Sequence, residues 1–273
     1  IIEKDILANY EETRIVRIKV VSPEIASHAK PGQFLVIMVH EKGERIPLTI
    51  AETDTKKETV TIIFQEAGFT TKLLGSLNEG DCIYSLTGPL GHPTEIKNFG
   101  KVIIIGGGVG IAEIYPVAKA LKKEGNDVTA ILGARNHQLI ILEEEIKQVS
   151  DSLYIATDDG SKGKKGFTTD ILEDLLKNGS CHLVYAVGPI PMMAKASDIT
   201  DKFKVRTLVS LNTLMVDGTG MCGSCRVTVG NKTKFACIDG PEFDAHQVNW
   251  DEIKKRNNIY IDKEKHICRL NNL

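Results

Sequence analysis

The first hundred residues alternate apolar and polar positions at the period of strands. Arg14-Ile-Val-Arg-Ile-Lys-Val-Val21 places β-branched residues between charged ones, as a half-buried strand does. Pro31-Gly32 marks a turn before the more continuously apolar Gln33-Phe-Leu-Val-Ile-Met-Val39, and Thr59-Val-Thr-Ile-Ile-Phe64 predicts a further strand. Helix formers from Lys72 to Leu77 run into the turn signal Asn78-Glu-Gly-Asp81. Short strands with one brief helix predict a small antiparallel barrel over residues 1–98.

The pattern changes near Gly100. Lys101-Val-Ile-Ile-Ile105 opens onto Gly106-Gly-Gly-Val-Gly110, and a helix should follow to about Glu124. Strands are expected at Val128–Leu132, Leu153–Thr157 and His182–Val187, with helices at about 142–149 and 169–177. Strands alternating with helices call for a parallel sheet with crossovers, here over residues 99–205. From 206 to 273 the period fades and cysteines stand among glycines, as in a small unit held by something other than a large core. There are no internal repeats and no low-complexity segment.

Two or three domains suit a chain of 273 residues, and the pattern above divides it into three. A net charge of -2, with the lysines scattered, argues against nucleic acid or an anionic membrane as partner. No run approaches the roughly 20 apolar residues of a membrane span. The start, Ile1-Ile-Glu-Lys4, lacks the pattern of a signal peptide, so the expectation is a cytoplasmic protein. In that setting Cys222, Cys225 and Cys237, close together in sequence, point to metal rather than disulfides. Cys82, Cys181 and Cys268 lie in or beside apolar runs and are expected to be buried thiols.

The segment Asp217-Gly-Thr-Gly-Met-Cys222-Gly-Ser-Cys225 is the most specific chemical signal. A Cys-x-x-Cys pair reaches one metal from a tight turn, and glycines let backbone amides face sulfur. Arg226–Val229, the turn Gly230-Asn231 and Lys232–Cys237 read as a hairpin that returns Cys237 to the pair. A tetrahedral zinc site competes with an iron–sulfur cluster, although the nearest histidine, His246, lies beyond Cys237. A thioredoxin-like dithiol would want a helix start inside a βαβ unit, and unligated buried thiols are the remaining alternative. Asp239 and Asp244 rival Asp217 as a fourth ligand.

Gly106–Gly110 follows a strand and opens a helix, the context in which a glycine-rich loop can cradle a pyrophosphate. A tight structural turn is the simpler alternative, because Ile111 takes the place of the third glycine. Val187-Gly-Pro-Ile-Pro-Met-Met193 and Asp158-Asp-Gly160 also follow strands, on the sheet edge where such folds bind ligands. No catalytic Ser/His/Asp set is visible.

In order along the whole chain, Arg45-Ile-Pro-Leu-Thr-Ile50, Gly88-Pro-Leu-Gly-His-Pro93, Gly106–Gly110, Thr157-Asp-Asp-Gly-Ser161 with Gly166–Asp170, Val187–Met193 and the cysteine segment resemble the ferredoxin–NADP reductase superfamily. Within it the chain is most similar to dihydroorotate dehydrogenase electron-transfer subunits and to the small subunits of electron-bifurcating NADH-dependent reduced ferredoxin:NADP oxidoreductases. The resemblance implies a Greek-key FAD barrel, an α/β NAD-binding domain and a C-terminal [2Fe–2S] domain. It implies FAD on Arg45, Pro47, Leu48 and Thr49, with its phosphates on Gly68, Thr70 and Thr71. NAD(H) would lie on Gly107, Gly108, Val109, Gly110, Ala134, Arg135, Asp158, Gly188, Pro189 and Met192. The cluster would take Asp217, Cys222, Cys225 and Cys237. It also implies a larger partner subunit with its own flavin and [4Fe–4S] clusters, through which ferredoxin and NADP are reached. The related readings are a dihydroorotate dehydrogenase subunit, a hydrogenase diaphorase subunit, and a non-catalytic nucleotide sensor. The chain departs from the superfamily at Ile46, where an arginine is usual, and at Val187, where many reductases have cysteine. Asp217 stands where dihydroorotate dehydrogenase subunits have cysteine.

Overall fold

A computed structural model describes residues 1–259, 263, 266 and 267. The first unit comprises β1 (Glu3–Tyr10), β2 (Thr13–Val21), α1 (Pro23–His28), β3 (Phe34–Met38), β4 (Arg45–Asp54), β5 (Thr59–Gln65), α2 (Phe69–Ser76) and β6 (Ser85–Leu90). Its strands form an antiparallel barrel sheet in the order β1-β2-β5-β4-β3-β6. Alternation along β2 and β5 sorts residues between two cores: Val16, Ile18, Ile62 and Phe64 fill the barrel with Leu35, Ile37 and Leu74. Ile15 and Ile63 point outward instead, into the core beneath the second unit.

That unit runs β7 (Lys101–Gly107), α3 (Gly110–Lys123), β8 (Asp127–Ala134), α4 (Glu143–Gln148), β9 (Ser152–Thr157), β10 (Lys164–Lys165), α5 (Thr168–Asn178), β11 (Leu183–Val187), α6 (Ile190–Lys202) and β12 (Thr207–Ser210). Then come β13 (Arg226–Val229), β14 (Lys232–Phe235), α7 (Ala236–Asp239), β15 (Glu242–Asp244) and α8 (Trp250–Asn257). The second sheet has seven strands in the order β10-β9-β8-β7-β11-β12-β15. All neighbours are parallel except the β12–β15 pair.

A parallel sheet buried on both faces needs apolar residues on both. On β7, Val102 and Ile104 face α3 and the barrel, whereas Ile103 and Ile105 face α5 and α6. Cys225, Val227, Cys237 and Phe243 belong to the same core as Ile103 and Ile105. The cysteine-bearing segment therefore has no core of its own; it completes one face of the nucleotide sheet and adds β15 to its edge. The sheet thus extends past residue 205, through Thr207–Ser210, a strand too short to show a period.

Two local expectations differ. α2 begins at Phe69, not Lys72, because the Thr71 hydroxyl accepts the Gly68 amide at 3.0 Å and caps the helix three residues earlier. Cys82 is exposed in the connection between α2 and β6, and Cys181 is half-buried with its thiol donating to the Leu183 carbonyl at 3.1 Å. The run around Cys82 is a surface connector and offers it no core. Cys268 lies outside the described residues.

Candidate functional site

The carboxyl ends of β7, β8, β9 and β11 face the barrel across a cleft of about 1540 Å³. Gly107, Gly108, Ala134, Arg135, Asp158, Pro189 and Met192 line it on the sheet side, and Thr13, Gln65 and Lys72 on the barrel side. A smaller cleft of about 340 Å³ adjoins it, lined by Pro47, Leu48 and Thr49 of β4, by Gly107–Gly110, and by Gly188 and Pro189. The clefts share Gln65, Gly107, Gly108 and Pro189, so ligands in the two would lie side by side.

The glycine loop is shaped by close approach. A Cβ on Gly110 would lie 2.6 Å from the Val187 carbonyl oxygen, so only glycine lets α3 start directly over the end of β11. Gly108 donates its amide to the Gly133 carbonyl at 2.8 Å, which ties the loop to the next strand. The amino end of α3 therefore faces the clefts, where its free amides and dipole favour a pyrophosphate. Arg135 is exposed and its guanidinium donates to the Thr13 hydroxyl, linking the sheet edge to the barrel.

The flavin-directed residues divide. Pro47, Leu48 and Thr49 line the smaller cleft, whereas Arg45 is exposed and lines neither. Gly68, Thr70 and Thr71 form the start of α2 between Ala67 and Lys72, which line the larger cleft. The Thr70 hydroxyl donates to Glu44 at 2.6 Å, and Thr71 is engaged in capping. A Cβ on Gly68 would meet nothing within 4 Å, so the approach to this helix start is open.

On the cysteine loop, Gly218, Gly220 and Gly223 have φ of +76°, +85° and +69°. At Gly220 a Cβ would also strike the Ile238 side chain at 2.6 Å, so the loop can fold against α7 only with glycine there. The Cys225 and Cys237 sulfurs are buried and 3.2 Å apart, brought together by the hairpin. Cys222 is exposed, and its amide donates to the Asp217 carboxylate at 2.7 Å. The amides of Thr219 and Cys222 hold the Asp217 carboxyl below its usual range, and burial next to Cys225 pushes the Cys237 thiol up. Asp239 is engaged by the Phe235 amide at 2.7 Å and by Lys234, and Asp244 caps the His246 amide at 3.0 Å. Of the three carboxylates, Asp217 is the one on the cysteine loop itself. Among the described residues no three His, Cys, Asp or Glu side chains converge as a finished ligand sphere. The donor set nevertheless fits an iron–sulfur cluster: three thiols and a carboxylate on one loop and hairpin, with the Cys237 amide directed at the Cys225 sulfur at 3.5 Å.

Sequence patterns did not reveal the acidic groups behind the smaller cleft. Glu113 on α3 accepts a hydrogen bond from the Thr49 hydroxyl at 3.2 Å and is also bonded to Ser210. Glu242 on β15 accepts from the Tyr185 hydroxyl at 2.8 Å and from Thr94. Burial raises both carboxyls, Glu242 to about 7. Glu113 leaves one trace in the sequence, an acidic residue inside the apolar stretch Ile111–Ile114, whereas Glu242 leaves none.

Comparison with known proteins agrees with this arrangement. Residues 212–249 match the iron–sulfur cluster binding domain of dihydroorotate dehydrogenase B, and residues 104–198 match the oxidoreductase NAD-binding domain. The chain is 50% identical over 244 residues to a dihydroorotate dehydrogenase B (NAD(+)) electron transfer subunit homolog of Thermotoga maritima, covering 89% of this chain and 86% of that one. A chain of the NADH-dependent reduced ferredoxin-NADP oxidoreductase, solved in a study of flavin-based electron bifurcation, superposes with a TM-score of 0.90 at 47% identity, over 97% of this chain and 94% of that chain. The ferredoxin-NADP+ reductase of Plasmodium falciparum shares the fold, with a TM-score of 0.62 at 16% identity over 76% of this chain and 94% of its own. The chain belongs to the family of dihydroorotate dehydrogenase B electron-transfer subunits and their homologues, and is an oxidoreductase subunit that carries flavin, NAD(H) and iron–sulfur sites on the ferredoxin–NADP reductase fold.

Proposed function

We propose that NADH on the sheet side of the larger cleft gives hydride to an FAD whose ring lies in the smaller cleft and whose phosphates reach the start of α2, and that electrons leave one at a time through a [2Fe–2S] cluster on Asp217, Cys222, Cys225 and Cys237. The observation that carries the reading is the placement of the cysteine loop. A Cβ on Gly218 would lie 2.8 Å from Leu90 of β6 and 3.0 Å from Val36 of β3, and Val36 is the strand partner of Pro47 on β4, so the loop abuts the barrel beside the flavin cleft. FAD accepts two electrons together and can release them singly, which is the chemistry the cleft would gain on binding it. Pro47, Leu48 and Thr49 hold the ring against the sheet. The starts of α2 and α3 receive the phosphates, with Gly68, Thr70 and Thr71 on the flavin and Gly107–Gly110 on NAD(H). Ala134, Arg135, Asp158, Gly188, Pro189 and Met192 complete the nucleotide side.

The complex we favour is of the electron-bifurcating NADH-dependent reduced ferredoxin:NADP type, supported by the 0.90 superposition along 97% of the chain, and we place it in the cytoplasm on the sequence reading alone. The partner is then a larger flavin and [4Fe–4S] subunit that handles ferredoxin and NADP. A dihydroorotate dehydrogenase partner is the second reading, supported by the family of the Thermotoga relative. No described helix is long and apolar enough to cross a membrane.

The test is the electron paramagnetic resonance spectrum of the reduced, purified chain and of Asp217→Cys, with iron, zinc and flavin measured on the same samples. A [2Fe–2S] signal that changes in the variant, with about one FAD per chain, is the expected result. Zinc in place of iron would end the electron-carrier reading. An iron signal indifferent to Asp217 would move the fourth ligand elsewhere.

A further inference from the structure

Behind the smaller cleft lies a polar cluster built from four distant stretches of chain. Glu113 comes from the first turn of α3, Ser210 from the end of β12, Glu242 from β15 and Tyr185 from β11. Thr49 joins from the flavin side and Thr94 from the segment after β6. Ser210 links the two carboxyls: it is bonded to Glu113 and is the strand partner of Glu242. The tyrosine is fully buried, and Glu113 lines the cleft with Thr49 and Ser210.

Two carboxylates buried in one cluster, with Ser210 reaching both, cannot both ionise cheaply, because each desolvated charge raises the cost of the other. The groups acting on Glu113 are Thr49 and Ser210; those acting on Glu242 are Thr94, Tyr185 and Glu113 itself. Among the described residues no lysine, arginine or histidine acts on either, so nothing compensates a double negative charge. One proton shared between the pair relieves it. Burial raises both carboxyls, and Glu113 adds to the rise at Glu242.

The reaction itself supplies a proton. A hydride carries two electrons and one proton; electrons that leave singly through iron–sulfur carriers leave that proton behind, and it needs a base. We propose that Glu113 and Glu242 are a shared-proton pair that takes up this proton, Glu113 as the group facing the cofactor cleft beside Thr49 and Glu242 as a positioning residue behind it, reached through Ser210. In balance, the hydride gives two electrons to the outgoing carriers and one proton to the pair. The pair passes from no proton to one, shared between the two carboxyls, and then returns it to solvent; the outgoing one-electron carriers are the only oxidant. The inference rests on the flavin and cluster reading above.

The test is spectroelectrochemical titration of the flavin in the holo chain between pH 5.5 and 9, for wild type, Glu113→Gln and Glu242→Gln. The infrared carboxylic-acid band of the same oxidised samples is recorded alongside. In wild type the flavin midpoint should change slope with pH near neutrality, with a protonated carboxyl band persisting to about the same pH. Glu113→Gln should remove the bend. Glu242→Gln should move it to lower pH, because the neighbouring negative charge that raises Glu113 is gone. A merely structural role would shift flavin content or stability and leave the bend in place. A Glu113→Gln curve that overlays wild type overturns the inference, as does a wild-type band that titrates at the ordinary pH of an exposed glutamate. If Glu113→Gln loses its flavin, the band in Glu242→Gln decides: unchanged from wild type, it refutes the pair. A chain with flavin that NADH does not reduce would instead refute the functional reading, and the infrared band would still report on the pair.

Discussion

Two glycines show how one residue type serves different ends in this site. At Gly110 the missing Cβ makes room for the Val187 carbonyl, and any side chain must push α3 away from β11. Gly110→Ala should cost about 1–3 kcal/mol, the usual range for forced overpacking. It should also weaken NADH binding, since the same movement displaces the amides that face the cleft; denaturant titration and nucleotide titration check the two effects. Gly68 is the opposite case, extended at φ −126° with open space around its Cβ position. Gly68→Ala should leave stability within about 0.5 kcal/mol of wild type. Both glycines begin helices near the clefts, and nothing in their sequence neighbourhoods separates them. The distinction lies in what the fold brings opposite each, which for Gly110 is a strand 77 positions further on.

The hairpin β13–β14 was legible because its turn chemistry is local. Gly230 and Asn231 both have positive φ, 56° and 61°, as a two-residue hairpin loop with right-handed strand twist requires. Asn231→Val places a β-branched residue where it is strained. We expect a loss of about 1 kcal/mol, together with poorer retention of iron, because this turn sets the register that delivers Cys237 to Cys225. Iron content after dialysis checks the second point, and Asn231→Gly should behave as wild type in both. The strand–loop–helix unit from β7 to α3 was legible for the same reason, with an apolar run, glycines and a helical period all adjacent. β12 and β15 were not, being four and three residues long and strands only by virtue of their partners. The Glu113–Glu242 cluster was invisible to any local pattern, since its members come from separate segments and each is an ordinary residue alone.

At the scale of the whole molecule, the three units meet where the charge is least well solvated, and that has a sign in the pH dependence of stability. Thr94 follows the barrel, Tyr185 stands in the nucleotide sheet, and Glu242 arrives with the segment that carries the cysteines. Burial first, then the nearby Glu113, raises the Glu242 carboxyl from 4.5 in an unfolded chain to about 7 in the fold. A carboxyl raised by folding binds its proton more tightly in the native state, so its favourable contribution is complete below pH 4.5. It is lost as pH climbs through 7. At 1.36 kcal/mol per unit, the loss across that window is up to about 3 kcal/mol. Asp151, lowered mainly by its hydrogen bond to Lys122, works in the other direction at lower pH, so the raw stability curve mixes the two. The difference between wild type and Glu242→Gln isolates the buried carboxyl, because the amide keeps a carbonyl for Tyr185 and Thr94 and carries no charge at any pH. Urea titrations from pH 4.5 to 8 should show Glu242→Gln gaining on wild type steadily, with most of the gain between pH 5.5 and 7.5. A constant offset would place the ionisation outside this window and leave Glu242 as a hydrogen-bond acceptor alone. A gain over that range ties the docking of the cysteine segment to the protonation of Glu242.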